Sequence, residues 1–310
     1  MGRSKAVLGR FAPSPSGRMH LGNVFSALMA WLGARSRGGE ILLRIEDLDT
    51  QRCTQAWAEL LRRDLQWLGL GWDFEVPPQR TRSDAYQAAL DGLNARGLVF
   101  PCWCTRGLLH AASAPHASDG HWIYPGICRR LTPEQRAEKT TAPSWRLIVP
   151  EEVIRFTDGV YGPQEENLAR ECGDFVVKKA DGTFAYQLAV VLDDLEAGVT
   201  QVVRGRDLLG SAARQIYLYR LLGGVPPEYY HVPMLLSQDG RRLSKRDRDL
   251  DLGVLQTILT PGQLLGRLAW LAGLLDRPEE VCPEELAGEF SWARLRREDI
   301  CFDPAMFLTP

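Results

Sequence analysis

Two spacings of apolar residues take turns along the first part of the chain. Residues 6–12, Ala-Val-Leu-Gly-Arg-Phe-Ala, read as a buried strand that Pro13-Ser14-Pro15-Ser16-Gly17 cannot continue. From 21 to about 34 the period is helical, with Val24, Leu28, Trp31 and Leu32 on one face. Residues 40–45 form a second predicted strand. Residues 55–68 form a second helix, with Trp57, Leu60, Leu61, Leu65 and Leu68 aligned. Strand, loop, helix, strand, helix predicts a parallel α/β sheet. Past Gly97 the rhythm stops, and 100–145 is rich in Cys, His, Pro, Ser and Trp, as expected of an insertion with its own staple. Strand-like runs return at 175–178, 188–192 and 200–203. A helix is predicted over 211–222, and after Pro-rich turns Met234-Leu235-Leu236 reads as another strand. From 251 onward the pattern is helical, carried by Leu255, Ile258, Leu259, Leu264, Leu265, Leu268 and Leu271. The expected class is α/β: a Rossmann-like parallel sheet interrupted by an inserted domain, with a short C-terminal helical region. The boundaries expected are 1–97 and 181–250 for the two halves of the core, 98–180 for the insertion, and 251–310 for the helical region.

Composition narrows the function classes. The 310 residues carry a net charge of −2, so no global basic field advertises nucleic acid, and a polyanion must be held by local patches. Of the 37 basic residues only five are lysine, and Lys245 is the only one after Lys179. In a chain that otherwise writes arginine, a lysine there marks a place for a compact ammonium. No apolar run reaches the roughly 18 residues of a membrane span, and the start is too short in its apolar run for a signal peptide. The seven cysteines are odd in number, with Cys102, Cys104 and Cys128 clustered. That pattern predicts a reducing, cytoplasmic setting and a metal site rather than a disulfide framework.

Neither familiar phosphate loop is present. Gly205-Arg206-Asp207-Leu208-Leu209-Gly210 is followed by Ser211 rather than lysine, and there is no convincing G-x-G-x-x-G. The turn after the first strand offers another phosphate site. It holds Ser14, Ser16, Gly17 and His20-Leu21-Gly22-Asn23, and a helix begins there. Free backbone N–H groups and the positive end of a helix dipole favour an anion at such a place. Gly22 admits close approach, and His20 and Asn23 carry donors for phosphate oxygens. Taken alone, the tetrapeptide is an ordinary capped turn. The polar turn ending at Gly240, followed by Arg241-Arg242-Leu243-Ser244-Lys245-Arg246, changes that weight. A loop lysine beside Ser244 can reach β and γ oxygens as pyrophosphate leaves, stabilising charge where it develops.

Several blocks together resemble a known family. Arg10-Phe11-Ala12-Pro13-Ser14, Pro15-Ser16-Gly17, His20-Leu21-Gly22, Arg44-Ile45-Glu46-Asp47-Leu48-Asp49, Val202-Val203-Arg204-Gly205-Arg206-Asp207-Leu208 and Leu243-Ser244-Lys245-Arg246 look, in that order, like blocks of the glutamyl-tRNA synthetases, a class I family. His20–Asn23 stands at the HIGH-type signature, departing from its plain form at the second and fourth places, and Arg242–Arg246 stands at the KMSKS-type signature. The resemblance implies ATP with Mg2+ as co-substrate, held by His20, Gly22, Asn23, Ser244 and Lys245, with His20 and Lys245 catalytic.

Glutamate suits the remaining residues. Its two carboxylates need cations and its ammonium needs an anion; arginine's fork binds carboxylates bidentately. Arg10 and Arg204 sit at carboxyl ends of predicted strands, where open α/β sheets place ligands. Glu46 follows another strand and can take the ammonium, and Tyr186 offers a hydroxyl. In the resembling family the positions matching Arg10, Phe11, Ala12, Pro13, Ser14, Glu46, Tyr186 and Arg204 bind the amino acid.

Cys102, Cys104 and Cys128 supply three thiolates for a structural zinc, which needs four ligands. His110, His116, His121, Asp119 and Tyr124 are candidates for the fourth. By residue type His121 or His116 is the better ligand, whereas the resemblance points to Tyr124, four residues before Cys128. Full-length glutamyl-tRNA synthetases continue into a large anticodon-binding region, and this chain ends about 60 residues past Lys245. It resembles a short branch of that family. The branch implies activation of glutamate to the adenylate without tRNA, then transfer to queuosine at the wobble position of tRNA(Asp), by a monomer with no membrane partner. Arg241, Arg242, Arg246 and Arg248, and in the tail Arg294, Arg296 and Arg297, are candidate phosphate-tracking patches. The rival readings are a truncated synthetase charging a tRNA 3′ end, an amino-acid ligase with a small acceptor, and an inactive binding paralogue.

Overall fold

A computed structural model describes residues 6–105, 107–108, 123–241 and 250–309. Ser244, Lys245, Arg242, Arg246 and Arg248, and with them His110, His116, Asp119 and His121, lie outside the described residues. Strand β1 (Leu8–Phe11) pairs in parallel with β2 (Glu40–Leu43), which pairs in parallel with β3 (Phe74–Glu75). Helix α1 (Leu21–Arg35) makes the first crossover and α2 (Gln55–Trp67) the second. On the other side of β1, the Thr200 N–H donates to the Leu8 carbonyl at 2.9 Å, and the Leu8 N–H donates to Thr200 Oγ1 at 2.8 Å. These bonds seat β9 (Gln201–Gly205) beside β1, and β9 runs parallel to β10 (Glu228–Val232). Chain segments far apart in sequence therefore flank β1, and the sheet opens a crevice at the carboxyl ends of β1 and β9.

Helix α1 is buried almost all round, from Leu21 to Ala34, because it lies between the sheet and the tail. Gly33 shows how tight that sandwich is: a Cβ there would lie 2.5 Å from Cζ2 of Trp292. Trp292 in turn stacks on Tyr230, with ring centroids 4.4 Å apart.

The insertion folds around an antiparallel sheet of β4 (Val99–Cys102), β5 (Ser144–Leu147) and β8 (Phe175–Lys178). Between β5 and β8 a hairpin, β6 (Val153–Asp158) and β7 (Gly162–Asn167), reaches back to the core. There β6 pairs in parallel with β10 through Tyr229 and Asp158. Helix α3 (Ser83–Ala95) precedes the insertion.

The run at 188–192, expected as a strand, lies in a helix, α4 (Tyr186–Ala197), closed by Gly198 at φ 74°. Leu188, Ala189, Val190, Val191 and Leu192 are all buried, and a short continuous apolar run does not distinguish a buried helix from a buried strand. The expected helix over 211–222 is α5 (Ala212–Leu221). The tail is not helical throughout. After α6 (Pro261–Leu271) and a short helix, Pro283–Glu289, it forms a strand, β12 (Ile300–Phe302), before a last 3-10 turn at Pro304–Phe307. That strand pairs in parallel with β11 (Leu235–Ser237). No helix among the described residues is long and apolar enough to cross a membrane.

Candidate active site

A cavity of about 640 Å³ occupies the crevice. It gathers Arg10, Phe11, Ala12, Pro13 and Ser14 from the end of β1, and His20, Gly22 and Asn23 from the start of α1. Glu46 from beyond β2, Tyr186 from the first turn of α4 and Arg204 on β9 complete the predicted set. Every described residue expected to touch amino acid or nucleotide thus lines one cavity.

His20 is the N-cap of α1. Its Nδ1 accepts the Gly22 N–H at 3.1 Å, and its own N–H donates to Asn23 Oδ1 at 3.2 Å, a reciprocal capping box. Asn23 therefore has a structural duty at the helix start. Gly22 leaves room for the ring, since a Cβ there would lie 3.0 Å from His20 Cε1. The turn is clasped from the far end of the chain: His20 forms a β-bridge with Asp251, and the Leu252 N–H donates to the Met19 carbonyl at 2.9 Å. Arg18, two residues earlier, bonds Asp64 at 3.0 Å and Gln256 at 2.7 Å.

Charges under the floor of the cavity are paired in a chain. Arg10 Nε reaches Asp194 Oδ2 at 3.5 Å and Nη1 donates to the Val203 carbonyl at 3.2 Å. Arg44, wholly buried, bridges Asp194 Oδ1 at 2.5 Å and Glu46 Oε1 at 2.8 Å. Burial pushes the Glu46 carboxyl above its ordinary 4.5, with Arg44 and Arg10 pulling it back. Asp193 next door accepts from Gln79 at 2.8 Å, Arg82 at 2.7 Å and the Tyr86 hydroxyl. Asp193 and Asp194 were not singled out from sequence. Their signal, two acids in a buried apolar run, was visible but unread.

Arg204 is also buried. Its Nε donates to His231 Nε2 at 2.9 Å, and His231 Nδ1 lies 2.7 Å from Asp158 Oδ2. Nη1 meets Gln215 Oε1 at 2.7 Å and the Tyr186 hydroxyl at 3.4 Å, and Nη2 donates to the Leu208 carbonyl at 3.1 Å. His231, Asp158 and Gln215 are further residues that the sequence reading missed.

Away from the cleft, the sulfurs of Cys102, Cys104 and Cys128 lie within 4.8 Å of one another. The Tyr124 hydroxyl is 3.6 Å from Cys102 Sγ, and Cys104 and Cys128 Sγ are 3.5 Å apart. A tetrahedral ion with bonds of about 2.3 Å to sulfur and 2.0–2.2 Å to oxygen has ligand separations of roughly 3.5–3.8 Å, and these two separations fall in that range, so the three cysteines could hold a metal. Burial works against a Cys102 thiolate, but the Cys104 N–H, the Tyr124 hydroxyl and Arg146 outweigh it and pull the thiol below its ordinary value. Cys104, by contrast, is pushed up to about 12, by burial first and then by Cys128.

Comparison with known proteins gives the family. Residues 6–258 match the family described as tRNA synthetases class I (E and Q), catalytic domain. A solved glutamate tRNA ligase from Elizabethkingia meningosepticum, in complex with its amino acid, superposes with a TM-score of 0.83 at 28% identity, covering 98% of this chain and 68% of that one. The chain belongs to the class I tRNA synthetases, in the group that handles glutamate and glutamine. The glutamyl-Q tRNA(Asp) synthetase of Symbiobacterium thermophilum is 49% identical over 95% of both chains, and that of Nitratidesulfovibrio vulgaris is 45% identical over 93% of both. Within the class, the chain belongs to the glutamyl-Q tRNA(Asp) synthetase family.

Proposed function

We propose that this protein activates glutamate with ATP to glutamyl-adenylate and passes the glutamyl group to the queuosine base of tRNA(Asp). The observation that carries the reading is the meeting of Arg10, Arg204 and Glu46 in one cavity with the N-terminus of α1. Arg10 and Arg204 match glutamate's two carboxylates, Glu46 matches its ammonium, and the Tyr186 hydroxyl adds an orienting bond. ATP, with Mg2+, would be held by His20, Gly22 and Asn23, where the helix N-terminus favours phosphate, and the family resemblance assigns Ser244 and Lys245 to the same ligand. A glutamate carboxylate oxygen attacks the α-phosphorus in line, that P–O bond forms, and the bond to the leaving pyrophosphate breaks. His20, the helix N-terminus and Lys245 stabilise the charge that develops. A hydroxyl of the queuosine diol then attacks the acyl carbon, the bond from that carbon to the phosphate oxygen breaks, and AMP leaves, its phosphate taking up the hydroxyl proton. An acyl-adenylate is already activated, so positioning supplies most of this second step.

Cys102, Cys104 and Cys128, with Tyr124 as fourth donor, would hold one structural Zn2+. When bound, that ion staples the insertion and takes no part in the chemistry. The domain limits of this reading are a core of 1–97 and 181–250, an insertion of 98–180, and a tail of 251–310. The protein works as a cytoplasmic monomer; the odd number of cysteines fits a reducing compartment.

Labelled glutamate and ATP, offered with tRNA containing queuosine and tRNA lacking it, test the proposal. Label is expected in the queuosine pool alone. Equal label in both pools would mean charging of a 3′ end, and label in neither, with pyrophosphate exchange intact, would mean another acceptor.

A further inference from the structure

The three buried arginines at the cavity differ in the kind of partner that holds them. Arg10 and Arg44 are paired with carboxylates. Arg204 is held through His231, Gln215, the Tyr186 hydroxyl and the Leu208 carbonyl. None of the described carboxylates forms an ion pair with it.

The state of His231 follows from elementary bonding. A guanidinium only donates, so His231 Nε2 must offer a lone pair to Arg204. The ring proton therefore sits on Nδ1, where it meets Asp158 Oδ2. Asp158 stands one neutral imidazole away from the cation. It fixes the tautomer, and so the anchor, without touching the charge. A carboxylate in direct contact would have discharged the guanidinium before any substrate arrived. A buried cation tied down only by neutral acceptors keeps its charge for what enters the cavity.

We propose that His231 and Gln215 are specificity-determining residues, which anchor Arg204 through neutral acceptors so that the pocket selects a side chain with a free carboxylate over the matching amide. This rests on the cavity being the glutamate site. Glutamine would bring an uncharged oxygen and an amino group with two N–H donors. Facing a group that only donates, that amino group is left desolvated and unpaired.

The isosteric change Gln215→Glu tests this. It keeps an acceptor at Arg204 and sets an anion there. In pyrophosphate exchange on the purified protein, the glutamate KM is expected to rise roughly tenfold or more, with the ATP KM unchanged and the preference for glutamate over glutamine collapsing. Gln215→Met, which removes the hydrogen bond without adding charge, is expected to keep that preference. Unchanged discrimination in a folded Gln215→Glu variant would overturn the proposal, as would equal loss in both variants. Should Gln215→Glu not fold, the ring nitrogens of His231 decide: 15N spectra are expected to show hydrogen on Nδ1 and a lone pair on Nε2. The opposite tautomer or a charged ring overturns the anchor. Arg204→Gln separates the two levels. If it raises the glutamate KM while Gln215→Glu does not, the anchoring idea fails and the site stands. If Arg204→Gln leaves it unchanged, the site reading fails and the inference with it.

Discussion

His231 titrates under the opposing pull of its surroundings. Burial lowers its pKa from 6.5 and the Arg204 cation adds to this, while the hydrogen bond to Asp158 works the other way. In the unfolded chain the ring takes a proton near its ordinary value; in the folded protein it resists. Below about pH 6.5 the unfolded state binds more protons, so folding stability falls with acid, by at most about 1.4 kcal/mol per pH unit from this residue. Melting temperatures measured from pH 7 to pH 5 are expected to fall, and to fall less steeply in His231→Gln. Most residues of the cleft that sequence reasoning found belong to a local run, such as Arg10 to Ser14 or His20 to Asn23, whose chemistry is readable within a few positions; Tyr186 stands outside any such run and was reached through the family resemblance. The missed ones are paired across the fold. Arg44 meets Asp194 at a separation of 150 residues, and Asp158 meets His231 at 73. No spacing rule joins such positions; only the order of strands does.

At the scale of elements, most of the insertion's apolar residues, Val99, Leu147, Ile154, Leu168, Phe175 and Val177 among them, pack into the same core as α3, α4 and α5. Only Phe100, Cys102, Tyr124 and Cys128 form a separate small cluster. A bound ion would supply folding energy to that corner alone. Elemental analysis of protein purified without chelator is expected to give one zinc per chain. Stripping it with a strong chelator should loosen the chain around Cys102–Cys104 and Tyr124–Cys128 to protease while β6, β9 and β10 stay protected. Cys102→Ala should lose the zinc outright, and a wild-type protein free of metal would contradict the assignment. The strands at 175–178 and 200–203 were legible because β-branched residues and turns frame them. The hairpin of β6 and β7 was not, since its Arg, Glu and Gln alternate on an open face. The helix α4 hid behind its own burial: with apolar residues on every side, it offers no period to read.

Across the whole molecule, the tail is locked to the core by Trp292, packed between Gly33 and Tyr230. Trp292→Ala is expected to cost about 2–3 kcal/mol in denaturant unfolding. Gly33→Ala drives a methyl into the ring and should destabilise the wild type. In the Trp292→Ala background the same change should be neutral or stabilising, by up to about 1 kcal/mol, because alanine is the better helix former. A double-mutant cycle reads the sign change directly; additive effects would mean that ring and helix do not meet as described.

The clasp at Met19, His20, Asp251 and Leu252 bears on how the machine keeps time. The start of α1 and the described chain from Leu250 to Leu252 are pinned together by backbone bonds. On the proposed reading, a substitution at Asp251 or Leu252 is therefore felt in nucleotide binding, far away in sequence.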